Sequence, residues 1–394
     1  MLHQQNRERL YKKANGQLIV LAGYEAMQQS GDMAAPFLQE SIFWWATGIE
    51  SPGWKVILDT ARGSATLVRP KRSDMDIIFN GESDDEEVAR VSGITDIIPE
   101  KEFESRLRQL HRKHAVAQTL NSKQPHEFVL NPAGQSLHAA LKRIFDSVQH
   151  CDVLLNELKA IKQPEELTRM RAATKLTCEA FAEVREKLGE LKTEGEIEAE
   201  FIYRFHRKDA KHAYEPIVAS GANACTLHYN VNRDKLRSRD MVLIDIGARV
   251  GGYSADVTRT YCLNPTKRQK AVHAAVEKAE QVIIALIGPG VPVLEYIEKV
   301  NVIMKQSLHD LGLLDDLSDE ETYRTYFPHA ISHGLGIDTH DSLGRPRYFE
   351  PGMVVTVEPG IYIPQEGIGV RIEDDILVTN SGYENLSAQL STSL

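Results

Sequence analysis

Three of the most apolar stretches in this chain carry a carboxylate in their interior: Asp245 in LIDIG, Glu358 in MVVTVEPGIYI and Glu373 in IGVRIEDDILV. Each stretch reads as a strand, and an ionised acid inside an apolar strand costs several kcal/mol unless a cation or a partner meets it. Any fold for this chain therefore has to deliver those acids to compensating charge. Alternation along a strand puts Thr356, Glu358 and, if the Pro-Gly turn keeps the register, Tyr362 on one face. In the last stretch Arg371 and Glu373 share a face and Asp374 takes the other. For Glu373 the plain alternative is a buried ion pair with an arginine. Asp256 follows Asp245 by eleven residues, past a GGY turn that can fold the chain back as a hairpin, so both acids can face one cleft. Taken alone, an Asp after an apolar run is more often a cap or turn residue.

Histidines supply the rest of the pattern. His333 in PHAISHGLGIDTHD has His329 four residues before it and His340 seven after. The first spacing could present two ligands on one helical turn, as in zinc proteases, but there is no HExxH, and Gly334 and Gly336 argue against a continuing helix. Asp245, Asp256, His333, Glu358 and Glu373 together offer four carboxylates and one imidazole. That set suits two hard divalent cations sharing a water, which is the equipment of a hydrolase.

A length of 394 residues predicts two domains. Short β-branched runs at 18–23, 54–59 and 64–70 are followed by helix-like stretches at 84–91 and 100–116, the segment FVLNP, and an amphipathic stretch at 136–149. These describe a small α/β domain, residues 1–160. The texture then changes, with Pro164 at a helix first turn followed by Glu165 and Glu166. Residues 161–394 open with two helices, the second capped by Thr193 with Glu196 three residues on. Strands at 214–220, 241–247 and 257–263, helices at 267–287 and 293–312, and strands at 353–363 and 370–378 complete an α+β domain with a coarse internal duplication.

A formal net charge of -10 disfavours nucleic acid as a partner, and the basic clusters Lys71-Arg72 and 204–211 read as solvated faces. The longest apolar runs, such as 281–287, are too short to cross a membrane. MLHQQNRERLYKK has no apolar core of a secretory signal, so a cytoplasmic location is expected. Cys151, Cys178, Cys225 and Cys262 lie far apart without a CxxC pair, as reduced packing thiols would.

In order and context the five candidate ligands resemble those of the pita-bread metallopeptidases, specifically the Xaa-Pro aminopeptidases (aminopeptidase P) and prolidases. APFLQESIFWWATGIESPG resembles the aminopeptidase P amino-terminal domain, so the resemblance covers nearly the whole chain. It implies an α/β amino-terminal domain of the creatinase/aminopeptidase P type and an α+β pita-bread catalytic domain. By similarity Asp245 holds one metal and His333 and Glu358 mainly the other, with Asp256 and Glu373 bridging and a shared hydroxide as nucleophile. Oxygen-rich ligation without sulfur favours Mn²⁺, with Co²⁺ or Zn²⁺ possible. Glu358 doubles as proton shuttle. His340 resembles the histidine that stabilises the tetrahedral intermediate, His228 the one near the leaving proline, His329 a histidine behind the ligands, and Tyr362 and Arg371 a proton relay. Relatives associate through their amino-terminal domains, which implies a homodimer or homotetramer.

Such enzymes act on peptides with proline second. The Xaa-Pro bond is a tertiary amide without an N–H and with a ring-fixed φ, so recognition through that donor fails. An aminopeptidase leaves room beyond the proline, whereas a dipeptidase reads a free carboxylate with an arginine. Arg345 and Arg347, in DSLGRPRYFEPG, are candidates for that clamp or else exposed loop charges. Ser332 before the metal histidine, the segment GYENLS and the short loop between His340 and Glu358 resemble aminopeptidase P more than prolidase. Ile78, in DIIFNG, stands where relatives of both kinds carry a tryptophan that reaches a neighbouring active site. The reading is an Xaa-Pro aminopeptidase, with an Xaa-Pro dipeptidase as the alternative. Metal-free pita-bread proteins, creatine amidinohydrolases or histone-binding modules, have lost the ligands that this chain keeps. Methionine aminopeptidases usually lack the first domain.

Overall fold

A computed structural model describes residues 1–14, 16–81, 84–121 and 131–394. Phe128, Val129 and Leu130 of the FVLNP segment lie outside the described residues. The chain divides into two compact units, Met1–Lys159 and Ala160–Leu394.

The first unit is built on a six-stranded mixed sheet in the order Ile97–Pro99, Ser64–Arg69, Lys55–Asp59, Leu18–Ala22, Val116–Thr119, Ser147–His150. The centre is an antiparallel meander in register Leu18↔Asp59 and Asp59↔Ser64, and the outer pairings are parallel. Leu18, Val20, Ile57, Val68, Phe103, Leu107, Leu137 and Leu141 close its core. The helical stretch expected at 100–116 ends earlier: the helix is Phe103–His111, and Val116–Thr119 is a strand. The expected 136–149 stretch is likewise a helix, Pro132–Lys142, followed by the strand Ser147–His150.

The amino-terminal segment, polar in composition, is a helix, Leu2–Lys13. Its buried face mixes Leu2 and Leu10 with the polar His3, Asn6 and Arg7. Ser41–Thr47 is a helix whose last carbonyls lack intrahelical donors. Asn6 Nδ2 donates to the Trp45 carbonyl at 3.1 Å and Arg7 to that of Ala46 at 2.7 Å, with His3 Nδ1 3.1 Å from the Trp45 oxygen. Hydrophobic periodicity has no signal for a helix that packs by satisfying another's carbonyls.

The second unit opens with the helix Pro164–Lys187, with Pro164 in its first turn and a capping box between Gln163 and Glu166. Glu194–His206 follows, its Glu196 N–H accepted by Thr193; the Glu196 carboxylate reaches back to the Lys192 N–H at 2.7 Å. Helix Lys267–Ile284, helix Val293–Asp310 and a second set of strands repeat the helix, helix, strands order. Val242–Ile246 pairs antiparallel with both Ile217–Ser220 and Val257–Tyr261. Val354–Val357 pairs with Asp374–Thr379, and Gly360–Ile363 with Ile368–Arg371. The apolar runs expected as single strands at 353–363 and 370–378 are thus each broken in two, at Glu358-Pro359 and at Ile372-Glu373. Both breaks fall at the acids: Pro359, after Glu358, has no N–H to give a ladder, and Glu373 makes its backbone bonds with Thr258. Among the described residues no helix is long and apolar enough to cross a membrane. The four cysteines are free thiols, with Cys225 alone partly exposed.

Candidate metal centre

Asp245 and Asp256 meet because the chain turns back between them. The strands carrying them pair with Asp245 opposite Thr258 and Ile246 opposite Val257, and Gly251-Gly252 makes the turn with both residues at positive φ. The Tyr214 hydroxyl lies between both acids, 2.5 Å from Asp245 and 2.6 Å from Asp256, with its one proton to share between them. Glu373 joins from the second set of strands, where Thr258 and Glu373 exchange backbone bonds and the Thr258 hydroxyl donates to Glu373 at 2.6 Å. Atoms of Asp256, His333 and Glu373 suited to hold a metal lie within 4.8 Å of one another. Glu358 completes the group, with its Oε1 3.6 Å from His333 Nε2; Asp256 Oδ2 lies 3.5 Å from the same nitrogen.

The electrostatics ask for cations. Burial, with Asp245 adding repulsion, holds the Asp256 carboxyl well above the ordinary range, and burial with Asp256 does the same to Glu373. Glu358 is pushed up to about 8 by burial first. Arg371 is the guanidinium that lines the cavity with the acids, ion-paired with Asp245. Burial pulls the His333 imidazole down to about 4. Its Nδ1 faces the Gly334 carbonyl at 3.0 Å and must carry the proton there, which leaves the Nε2 lone pair toward the carboxylates. Hard, anionic, oxygen-rich donors with one neutral imidazole fit divalent cations.

These groups line a cavity of about 450 Å³ that also takes in His228, His329 and His340. Arg371 donates to the Tyr362 hydroxyl at 2.9 Å, and that hydroxyl lies 2.9 Å from His329 Nε2. The His329 ring, lowered to about 4 by burial, gives its Nδ1 proton to the Ala330 carbonyl at 2.7 Å, so Nε2 accepts from Tyr362. His340 stacks edge-on against His333 with centroids 4.4 Å apart. Arg345 and Arg347 stay outside this group: both are exposed and neither lines the cavity. Ile78 is on the short helix Asp74–Asn80, 76% exposed beside Phe79.

Several contributors escape a reading of the sequence. Tyr214 sits in AYEPIV, where nothing marks its hydroxyl as shared by two acids. Asp375 accepts from the Thr174 hydroxyl at 2.7 Å and from the Asp256 N–H at 3.3 Å. Arg259 pairs with Asp374 at 2.6 Å and donates to the Glu373 carbonyl at 2.8 Å, so the buried arginine pair expected as an alternative for Glu373 exists one residue later. Thr258 was within reach, because alternation in VTRTY separates its face from that of Arg259.

The model of metallopeptidase family M24 matches residues 168–380, and that of the aminopeptidase P N-terminal domain matches residues 3–118. The chain is 31% identical to the Xaa-Pro aminopeptidase of Escherichia coli K12, over 98% of this chain and 94% of that protein. It is 29% identical to human Xaa-Pro aminopeptidase 3, over 96% of this chain and 80% of that one. Among solved structures, aminopeptidase P from E. coli in its low-pH form superposes with a TM-score of 0.88 at 30% identity, covering 100% of this chain and 96% of that one. The same enzyme with the inhibitor Pro-Leu gives 0.87 at 29%, covering 100% and 95%.

Proposed function

The chain belongs to metallopeptidase family M24 and is a hydrolase, and from that premise we propose that it removes the amino-terminal residue from peptides with proline in second position. In this reading residues 161–394 are catalytic and residues 1–160 are the amino-terminal domain, through which the chain assembles as a cytoplasmic homodimer or homotetramer. Asp245, Asp256, His333, Glu358 and Glu373 would hold two divalent cations, with Mn²⁺ the metal expected from their oxygen-rich donors. When bound, two such cations acidify a water held between them for attack on a peptide carbonyl.

The remaining work falls to the chain itself. Glu358, partly buried in the cavity with its Oε1 3.6 Å from His333 Nε2, is the carboxylate placed to take a proton and pass it to the leaving nitrogen. His340, beside His333 at the cavity wall, faces the carbonyl whose oxygen gains charge. His228, another residue of the cavity wall, would meet the proline ring of such a substrate. Arg371, ion-paired with Asp245, donates to Tyr362, whose hydroxyl donates to His329, a hydrogen-bonded line that orients the acid.

The observation that carries the reading is the gathering of every candidate ligand into one cavity that also takes in His228, His329 and His340 and that neither Arg345 nor Arg347 lines. A similar enzyme, aminopeptidase P from E. coli, takes Pro-Leu as inhibitor, and here Arg345 and Arg347 are exposed and do not line the cavity. Hydrolysis of an Xaa-Pro-Yyy tripeptide and the matching Xaa-Pro dipeptide, with manganese added, tests it. The tripeptide is expected to have the larger kcat/KM. A dipeptide preference reverses the assignment to prolidase, and retained turnover in Asp256→Ala removes the two-metal scheme.

A further inference from the structure

The wall that carries His228 is held by an acid outside the reaction's own machinery. Glu194 is the first residue of the helix Glu194–His206 and is completely buried. Among the described residues no cation pairs with it; five hydrogen bonds converge on its carboxylate instead. Oε1 accepts from the Ser220 N–H at 2.8 Å, the Ser220 hydroxyl at 2.9 Å and Asn223 Nδ2 at 3.1 Å. Oε2 accepts from the Tyr229 hydroxyl and the Asp234 N–H, both at 2.9 Å. Every donor belongs to one stretch, residues 220–234, which leaves the strand Ile217–Ser220, turns through 221–225 and returns to pair with the segment ahead of the helix. The Glu194 N–H in turn donates to the Asp234 carbonyl at 3.0 Å, and Leu236 to Lys192 at 2.9 Å.

Within that stretch Leu227, His228 and Asn230 line the metal cavity, and Tyr229, between them, points the other way into Glu194. His228 sits in a turn that the Tyr229 N–H closes on the Thr226 carbonyl at 3.3 Å, so anchoring Tyr229 fixes the exit of the turn that carries its neighbour. A buried carboxylate satisfied only by dipoles is costly to disturb, since each donor left without it is itself buried or constrained. The helix N-terminus adds favourable potential for the charge.

We infer that Glu194 is a positioning residue for the reaction: its carboxylate gathers residues 220–234 and through Tyr229 fixes where His228 stands opposite the metal ligands. The inference rests on the function proposed above for what His228 does, and on geometry alone for what Glu194 holds.

Glu194→Gln keeps the shape and one acceptor while turning the other oxygen into a donor that meets the Asp234 N–H; Tyr229→Phe removes a single bond and serves should the first variant fold poorly. Each is made in the full chain alone and combined with His228→Ala. Expected are a fall of about tenfold or more in kcat/KM for Xaa-Pro-Yyy when His228 is present, and less than about twofold when it is alanine, because coupled residues do not add. Manganese content should stay unchanged, and amide hydrogen exchange across 221–234 should quicken in both variants. Equal losses in the two backgrounds, or unaltered exchange, overturn the role of Glu194. If the wild-type protein cuts no Xaa-Pro peptide, the proposed function fails instead, and the exchange measurement still decides whether Glu194 holds the wall.

Discussion

Glu373→Gln should make the metal-stripped protein more stable while it destroys the response to metal. Atoms of Asp256 and Glu373 lie within 4.8 Å of each other. At an effective dielectric of about 20, two like charges at about 4.8 Å repel by about 3.5 kcal/mol. In the apo protein this repulsion, with burial, drives both carboxyls above their ordinary range, so part of it is already relieved by proton uptake. Glutamine removes the remainder and keeps an oxygen for the Thr258 hydroxyl, which sits 2.6 Å from Glu373 Oε2. A net gain of about 1–3 kcal/mol follows for the apo state, or roughly 2–10 °C in Tm for a unit of this size. The wild-type protein, in turn, should gain about 2.7 kcal/mol from manganese at about 100 times its Kd, because the ions bind only the folded site. The assay is a thermal unfolding series in chelator and in manganese at pH 7.5. Glu373→Gln should melt higher than wild type in chelator and show little manganese shift. A variant that melts lower in chelator, or keeps the full manganese shift, refutes the account of these acids as a repelling cluster built for cations.

Two further outcomes test the scaffold. Glu280, on the helix Lys267–Ile284, has its carboxyl pushed up to about 9 by burial and then by Asp374. An unfolded glutamate titrates near 4.5, so the folded state holds the extra proton between about 4.5 and 9, and stability falls as pH rises through that window. Glu280→Gln should flatten the fall, gaining on the order of 1–2 kcal/mol over wild type between pH 5 and 9; parallel denaturant midpoints at the two pH values would contradict it. Gly247 follows the strand that carries Asp245, and a Cβ there would lie 1.7 Å from the Ala255 carbonyl oxygen. Gly247→Ala should therefore cost more than about 4 kcal/mol or prevent folding, read by denaturant unfolding, and a loss under about 1 kcal/mol would show that the two strands can separate freely.

The acids were legible in sequence because each is a local anomaly. LIDIG, VTVEPG and GVRIED place a charge where a short window of neighbours demands burial, and alternation correctly separates Glu373 from Asp374. The hairpin that brings Asp256 back to Asp245 is also local, signalled by GGY and realised at Gly251 and Gly252. The amino-terminal helix was not legible, since its buried His3, Asn6 and Arg7 pack by hydrogen bonding to the ends of another helix. Neither were the strand breaks at Glu358 and Glu373, because a continuous β-branched run looks the same whether or not one residue leaves the ladder.

By itself, then, the sequence determined the donor chemistry, the family and the approximate elements, all of which rest on residue type and on neighbours within a turn or a strand. Tertiary structure alone decided which distant groups support those donors. Arg371 reaches Asp245 across 126 residues, Thr258 reaches Glu373 across 115, and Glu194 reaches Tyr229 across 35. A hydrogen bond depends on two atoms meeting in space, and no periodicity in either segment encodes the address of the other. The same reason left Arg345 and Arg347 open between a carboxylate clamp and exposed loop charges until the fold set them on an exposed loop that does not line the cavity.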